Sequence, residues 1–163
     1  MQVRTVLLVP LIALAAACTP RQPPAPRPTI FFPATPVDDG AVKAEQARVS
    51  WEEGVTLGRQ ARWAEASEAY RRAAELDPGE VRYHMALADA LLQGGREWES
   101  ADALMAGIRA EEAKPNPNHR VLGVDYERLI RLLTRLNRLD EARTARARQE
   151  HHRRLRDAAP PRE

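Results

Sequence analysis

Apolar residues recur every three to four positions between residues 38 and 157, which is the periodicity of amphipathic helices. Helix-breaking residues interrupt the pattern at Pro78-Gly79, at Gly94-Gly95 and in the Pro-Asn-Pro run of residues 115–117. Breakers at these intervals predict short antiparallel helices. We therefore expect an all-α domain over residues 38–157, followed by a short disordered tail at residues 158–163.

A different pattern precedes the helical region. Arg4 is followed by an apolar run over residues 6–17, which is broken only by Pro10. A helix of this length rises about 18 Å, whereas the hydrocarbon core of a bilayer is about 30 Å thick, so a secretory signal fits better than a membrane-spanning anchor. The run ends in three alanines immediately before Cys18, the only cysteine of the chain.

The end of this run resembles the lipobox of bacterial lipoproteins, in which small residues precede a cysteine that is acylated and becomes the new N-terminus. The resemblance implies a signal peptide over residues 1–17 and an acylated Cys18 that carries palmitate or a similar chain. In Gram-negative lipoproteins an aspartate after the cysteine usually means inner-membrane retention. Thr19 at this place therefore implies a lipid anchor in the cell outer membrane, facing the periplasm. The alternative is an ordinary signal peptide that is cut near Ala17.

Prolines dominate the segment after the cysteine. Residues 19–36 contain seven of them, and because proline fixes φ and removes amide donors, this stretch cannot join a helix or an interior strand. We predict that residues 18–37 form a disordered, semi-rigid tether with a reach of roughly 50 Å. Ile30, Phe31 and Phe32 lie within it. They form either a docking motif for a partner or an apolar segment that folds back onto the helical domain.

The helical region contains an internal repeat. Residues 63–66 (WAEA) return as residues 98–101 (WESA), so the two tryptophans are 35 residues apart, and residues 139–142 (LDEA) begin a third copy. On this alignment the second copy places Met105 and Ile108 where the first has Tyr70 and Ala73.

These copies resemble the tetratricopeptide repeat, a helix–turn–helix unit of 34 residues. The resemblance implies about three repeats, near residues 47–80, 81–114 and 123–157, stacked in a right-handed superhelix. Each hairpin buries only one face, so neighbouring repeats must stack to form a stable core.

Individual residues carry this resemblance. In the first repeat Gly54 matches the glycine of the first helix, Ala66 the small residue at the helix crossing, and Tyr70 the aromatic residue. The second repeat is expected to contain one inserted residue in its Gly94-Gly95 turn. The third has Arg146 where the aromatic residue belongs.

The net charge of +2 conceals a polarised chain. Residues 38–114 have a net charge of −6, and residues 115–163 have a net charge of +5. The basic end suits an acidic protein or anionic lipid head groups, or it is the solvated outer face of the last helix. We expect no nucleic-acid partner, because an exported lipoprotein is separated from the nucleic acids of the cytoplasm.

Candidate catalytic chemistry is weak in this sequence. It contains no His-Glu-x-x-His motif and no glycine-rich phosphate loop. The neighbours His151 and His152 point in different directions on a helix, and Glu111 and Glu112 are expected to be solvated charges at a helix end. We therefore predict a protein that is not an enzyme and that has no cofactor, no metal site and no small-molecule substrate.

In tetratricopeptide proteins the first helix of each repeat lines the ligand groove. The resemblance places eleven residues of this chain at groove positions, and their mixture of arginines and apolar side chains suits an extended peptide with acidic and apolar residues. For Trp51 the sequence is equally consistent with a second environment, in which the tether folds back onto the helical domain and buries this side chain. The groove residues are Arg48, Trp51, Val55, Arg59, Arg82, Met85, Asp89, Leu92, Glu127, Arg131 and Arg135.

Taken together, these resemblances predict a scaffold or adaptor that binds another envelope protein or peptide and that contacts the membrane through its N-terminal lipid. Similar lipoproteins act as pilotins for secretins, in outer-membrane assembly machines, or as adaptors for peptidoglycan enzymes. Two alternatives remain open, namely an envelope enzyme or enzyme subunit, and a structural lipoprotein without a client.

Overall fold

The structure is a computed structural model that describes residues 39–158. Within this range the chain forms six helices and no strand, which confirms the predicted all-α class. None of the six is both long enough and apolar enough to cross a bilayer. The helices are α1 (Asp39–Arg59), α2 (Trp63–Leu76), α3 (Val81–Gln93), α4 (Glu97–Glu112), α5 (His119–Arg135) and α6 (Leu139–Ala158).

The predictions for the N-terminal segment lie outside the described residues. These predictions are the signal peptide at residues 1–17, acylation of Cys18, and the tether at residues 18–37 with its Ile-Phe-Phe run. The tail after Ala158 also lies outside the described range.

Three turns of the same backbone geometry divide the helices into three hairpins, α1–α2, α3–α4 and α5–α6. Each turn contains one residue with left-handed φ, followed by an arginine whose amide donates to the carbonyl oxygen five residues earlier, over 2.8–3.0 Å. The shared geometry makes the hairpins structurally equivalent. The turn pairs are Ala61–Arg62, Gly95–Arg96 and Asn137–Arg138, with φ of 56°, 75° and 59° at the first residue of each pair.

The turn arginines define the spacing of the repeat. Arg62 and Arg96 are 34 residues apart, and Arg96 and Arg138 are 42 residues apart. The first interval equals the period of a tetratricopeptide repeat. The second interval is larger because α4, α5 and the loop between them are each longer than their counterparts in the preceding interval.

The third hairpin begins earlier than the sequence pattern predicts. Helix α5 starts at His119, whereas the repeat was expected to start near residue 123. Asn118 accounts for the difference, because its side-chain oxygen accepts hydrogen bonds from the amides of residues 120 and 121, each over 3.2 Å.

The turn geometry also corrects the alignment of the second repeat. The Gly94-Gly95 turn has the same length as the other two, so it contains no inserted residue. Trp98 therefore corresponds to Ala64, one position after the place of Trp63. The environment of Trp98 agrees with this shift, because its side chain is 58% exposed. The guanidinium carbon of Arg138 lies over the Trp98 ring, 5.4 Å from the ring centre. In the corrected alignment Tyr70 and Ala73 correspond to Leu104 and Gly107.

Small residues allow the two helices of each hairpin to approach closely. Ala66, Ser100 and Ala142 occupy the same position in the three hairpins, and all three are buried. The hydroxyl of Ser100 donates to the carbonyl oxygen of Ala88 on the facing helix, over 2.8 Å. In the first hairpin the ring of Tyr70 lies so close to Gly54 that a Cβ placed on the glycine would be 2.6 Å from two ring carbons.

Candidate functional site

All eleven predicted groove residues lie on the first helices of the hairpins, α1, α3 and α5. The structure brings some of them together and leaves others apart. Trp51 and Arg82 meet in a small aromatic cluster. Leu92, Arg131 and Arg135 line one cavity.

The aromatic cluster joins the first two hairpins. The guanidinium carbon of Arg82 lies 5.3 Å from the ring centre of Trp51 and 5.1 Å from that of Tyr83. The two aromatic rings are 6.5 Å apart and tilted by 46°. Trp51 also packs against the buried cluster that contains Ala73 of α2, so this half-buried ring contributes to the packing of its own repeat.

The second group lines a cavity of about 250 Å³ between α3, α4 and α5, which we call the α3–α5 cavity. Its apolar part consists of one leucine from each helix. Its rim consists of three arginines at spacings of three and four residues along α5, so they project from one side of that helix. The lining residues are Leu92, Leu104 and Leu132, and Arg128, Arg131 and Arg135.

Each rim arginine has an acidic neighbour within salt-bridge distance. Arg131 pairs with Glu127 over 3.3 Å, Arg135 pairs with Glu97 over 3.0 Å, and Arg128 pairs with Asp89. Exposed pairs of this kind contribute only about 0–1 kcal/mol each. A carboxylate of a bound peptide can therefore replace these partners at small cost, while the leucines offer contact to an apolar side chain.

The remaining predicted residues serve local packing or remain exposed. Met85 is half-buried and packs against α4, because a Cβ on Gly107 would lie 2.8 Å from its terminal methyl carbon. Val55 packs against the main core cluster. Arg48 pairs with Glu45 and Glu52 on its own helix, and Arg59 is exposed in the last turn of α1.

Three residues of the α3–α5 cavity escaped prediction, namely Arg128, Leu104 and Leu132. The sequence spacing could have identified Arg128, because it lies three residues before Arg131 and seven before Arg135 and therefore on the same side of one predicted helix. Leu104 lies on α4, the second helix of its hairpin, whereas the resemblance assigns groove positions only to first helices. Its contribution becomes visible only when the packing of α4 against α5 is known.

No family model and no curated protein matches this chain.

A second polar assembly joins the end of α4 to the third hairpin, and it is largely buried. The Oε1 atom of Glu112 accepts hydrogen bonds from the hydroxyl of Tyr126, over 2.7 Å, and from Nε2 of His152, over 2.8 Å. The Nδ1 atom of His152 lies 3.0 Å from Nδ1 of His119, so one of these two nitrogens donates and the other accepts. We call Glu112, Tyr126, His152 and His119 the polar network.

Stacking fixes the rings of the polar network. The ring of His152 lies 5.2 Å from that of His119 and 5.7 Å from that of Tyr126, in stacked orientations. Only 6% of His152 is exposed. Burial raises the pKa of the Tyr126 hydroxyl above its ordinary value, and the hydrogen bond to the Glu112 carboxylate raises it further. The network therefore ties α4, α5 and α6 together.

The prediction that Glu111 and Glu112 are solvated charges was wrong. Glu111 is 6% exposed, and it accepts a hydrogen bond from Nζ of Lys114 over 2.6 Å and another from the amide of Asn118 over 2.8 Å. Glu112 belongs to the polar network. The loop of residues 113–118 places Lys114 and Asn118 beside Glu111, whereas the partners of Glu112 come from α5 and α6. Periodicity alone reveals neither arrangement.

Proposed function

We propose that this protein is a lipid-anchored scaffold or adaptor of the bacterial envelope, whose helical repeats bind an acidic and apolar segment of another envelope protein. The observation that carries this proposal is the α3–α5 cavity, with leucines on its walls and three arginines on its rim. Leucines and arginines in this arrangement are suited to an extended peptide.

We further propose that the three hairpins form a tetratricopeptide-like right-handed superhelix. The interval of 34 residues between the first two turns supports this, as do the equivalent turns and the small buried residues where paired helices cross. Salt bridges between consecutive repeats add support. Arg96 pairs with Glu68 of α2, and Arg138 pairs with Asp102 of α4, so each turn arginine contacts the second helix of the preceding hairpin.

The peptide-binding proposal is tested by crosslinking in intact cells of the source bacterium, followed by affinity recovery of the tagged protein. Arg131→Glu combined with Arg135→Glu should lower recovery of a stoichiometric partner at least tenfold, because it reverses two charges on the cavity rim. The control combines Arg72→Glu with Arg143→Glu, which reverses two charges at exposed sites away from the cavity.

A partner that is recovered equally with both double variants would show that the cavity is not its binding site. Recovery of no stoichiometric partner with the unaltered protein would contradict the adaptor proposal itself. Circular dichroism of both double variants checks that each retains its helical content.

The lipid anchor rests on Cys18 and on the apolar run before it, and it has a separate test. Cells fed radiolabelled palmitate should label the unaltered protein and a Thr19→Ser control, whereas Cys18→Ser should remove the label completely. Acyl chains contribute about 0.8 kcal/mol per buried methylene, so their loss should also shift the protein out of the outer-membrane fraction. Equal labelling of the serine variant would disprove acylation at this residue.

A further inference from the structure

The outer side of the last hairpin carries a second, more basic cavity, which we call the terminal cavity. It has a volume of about 420 Å³ between α5 and α6. Two acidic residues, Glu127 and Glu150, line it beside the basic residues His119, Arg120, Arg146, Arg153 and Arg156. It shares no lining residue with the α3–α5 cavity.

Two of these arginines have no acidic partner among residues 39–158. Arg153 pairs with Glu150 and Arg156 pairs with Asp157, each over 2.8 Å, whereas Arg120 and Arg146 form no ion pair within this range. Elsewhere in the described chain most arginines are paired with acidic side chains, including the three on the rim of the α3–α5 cavity. Two guanidinium groups without partners in one cavity favour an anion as its occupant.

The walls of the terminal cavity are held in place from the interior of the protein. His119 lines the cavity and is fixed by His152, which is itself fixed by the Glu112 carboxylate. On the opposite wall Nε2 of Gln149 donates to the carbonyl oxygen of Gly123 over 3.0 Å and so links α6 to α5. Less ordering is therefore required when an anion binds.

The chemistry of the lining favours a phosphate group. A phosphate presents several acceptor oxygens on one centre and pairs well with the planar donor fork of arginine. An aliphatic side chain lies beside the arginines, because the exposed Val124 is part of the lining. Arginines beside exposed aliphatic residues are typical of surfaces that contact phospholipid head groups.

We propose that the terminal cavity binds a phosphate group, and that an anionic phospholipid head group supplies it. This inference is independent of the peptide-binding proposal, because the two cavities have no residue in common. It is also independent of the lipid anchor, since the test below uses a chain that cannot be acylated.

The test compares three versions of the full chain, all carrying Cys18→Ser and therefore identical in their N-terminal segment. The first has no other change, the second adds Arg120→Ala with Arg146→Ala, and the control adds Arg72→Ala with Arg143→Ala. Inorganic phosphate is titrated while the amide resonance of Gly123 is followed by NMR. Phosphatidylglycerol and phosphatidylcholine vesicles are then compared by co-sedimentation.

The Arg120/Arg146 variant should bind inorganic phosphate about tenfold more weakly, because two charge-assisted contacts are lost, while the control remains within about twofold of the parent. The same variant should lose binding to phosphatidylglycerol vesicles, and no version should bind phosphatidylcholine well. The two arginines form no ion pair among the described residues, so their removal should leave the thermal unfolding midpoint unchanged.

Several outcomes would overturn the inference. Equal phosphate shifts in all three versions would exclude the terminal cavity as the phosphate site. An equal loss of vesicle binding in the control would indicate diffuse charge attraction. Phosphate binding without vesicle binding would exclude the lipid as the source. Binding of a glutamate-rich peptide through the same arginines, without phosphate binding, would identify the occupant as an acidic protein segment.

Discussion

Replacing Glu112 with alanine should lower the free energy of unfolding by about 2–4 kcal/mol. The carboxylate is the acceptor for Nε2 of the buried His152 and for the hydroxyl of Tyr126, and each buried donor left without an acceptor costs roughly 1–3 kcal/mol. Urea titration followed by far-UV circular dichroism at pH 7 measures the change. Glu75→Ala, on the exposed side of α2, is the control and should change stability by no more than about 0.5 kcal/mol.

The same carboxylate should contribute a pH-dependent part of the stability. Burial raises the pKa of Glu112, but hydrogen bonds from His152 and Tyr126, together with the charge of Arg148, outweigh burial and leave the pKa below its ordinary value of 4.5. A carboxylate with a lowered pKa in the folded state contributes stability that is fully present above pH 4.5 and is lost as the pH falls through the folded-state pKa.

Glu112→Gln isolates this contribution of charge. The glutamine retains an amide oxygen as an acceptor but cannot ionise, so it should be less destabilising than alanine at pH 7. The difference between the unaltered protein and the glutamine variant should shrink as the pH falls below about 4.5. A difference that stays constant from neutral pH down to about pH 3 would be inconsistent with the polar network as described.

Gly54→Ala should destabilise the first hairpin by about 1–3 kcal/mol, although alanine is the better helix former. The added methyl group would lie 2.6 Å from two carbons of the Tyr70 ring, so the ring or the helix must move. Gly123→Ala is the matched control, because no heavy atom lies within 4 Å of a Cβ at this glycine. It should stabilise the protein by about 1 kcal/mol through helix propensity alone.

A double variant distinguishes a steric clash from other effects of the glycine. If Tyr70 is the obstacle, adding Tyr70→Leu to Gly54→Ala should make the combined loss smaller than the sum of the two separate losses. Equal stability of Gly54→Ala and the unaltered protein would mean that the helices are further apart than the structure shows.

The helical class and the number of hairpins could be predicted from the sequence, because helix periodicity and helix breakers are local properties. The register of the second repeat could not. Trp63 and Trp98 are the most conspicuous residues of the two copies and invite an alignment at 35 residues, whereas the turns repeat at 34. Backbone geometry decides the register, because Ala61, Gly95 and Asn137 share left-handed φ although their side chains have little in common.

The candidate sites show the same division between local and tertiary information. Helix spacing places Arg131 and Arg135 on one side of α5, and both line the α3–α5 cavity. The polar network joins α4, α5 and α6 across intervals of 14 to 40 residues, so no local pattern indicates it. In the sequence Glu112 therefore has the pattern of a surface residue at a helix end, because its partners lie far away along the chain.

The position shared by Tyr70, Leu104 and Arg146 has a consequence for assembly. The first two of these residues are buried, and Leu104 lines the cavity shared with the following hairpin, whereas Arg146 is exposed on the last hairpin. A further hairpin, or the first hairpin of another copy, that covered this guanidinium would have to place a carboxylate beside it, because burial of an unpaired charge is energetically costly. One arginine therefore restricts growth of the stack beyond three hairpins, and with it end-to-end polymerisation, to hairpins that bring a carboxylate to this position.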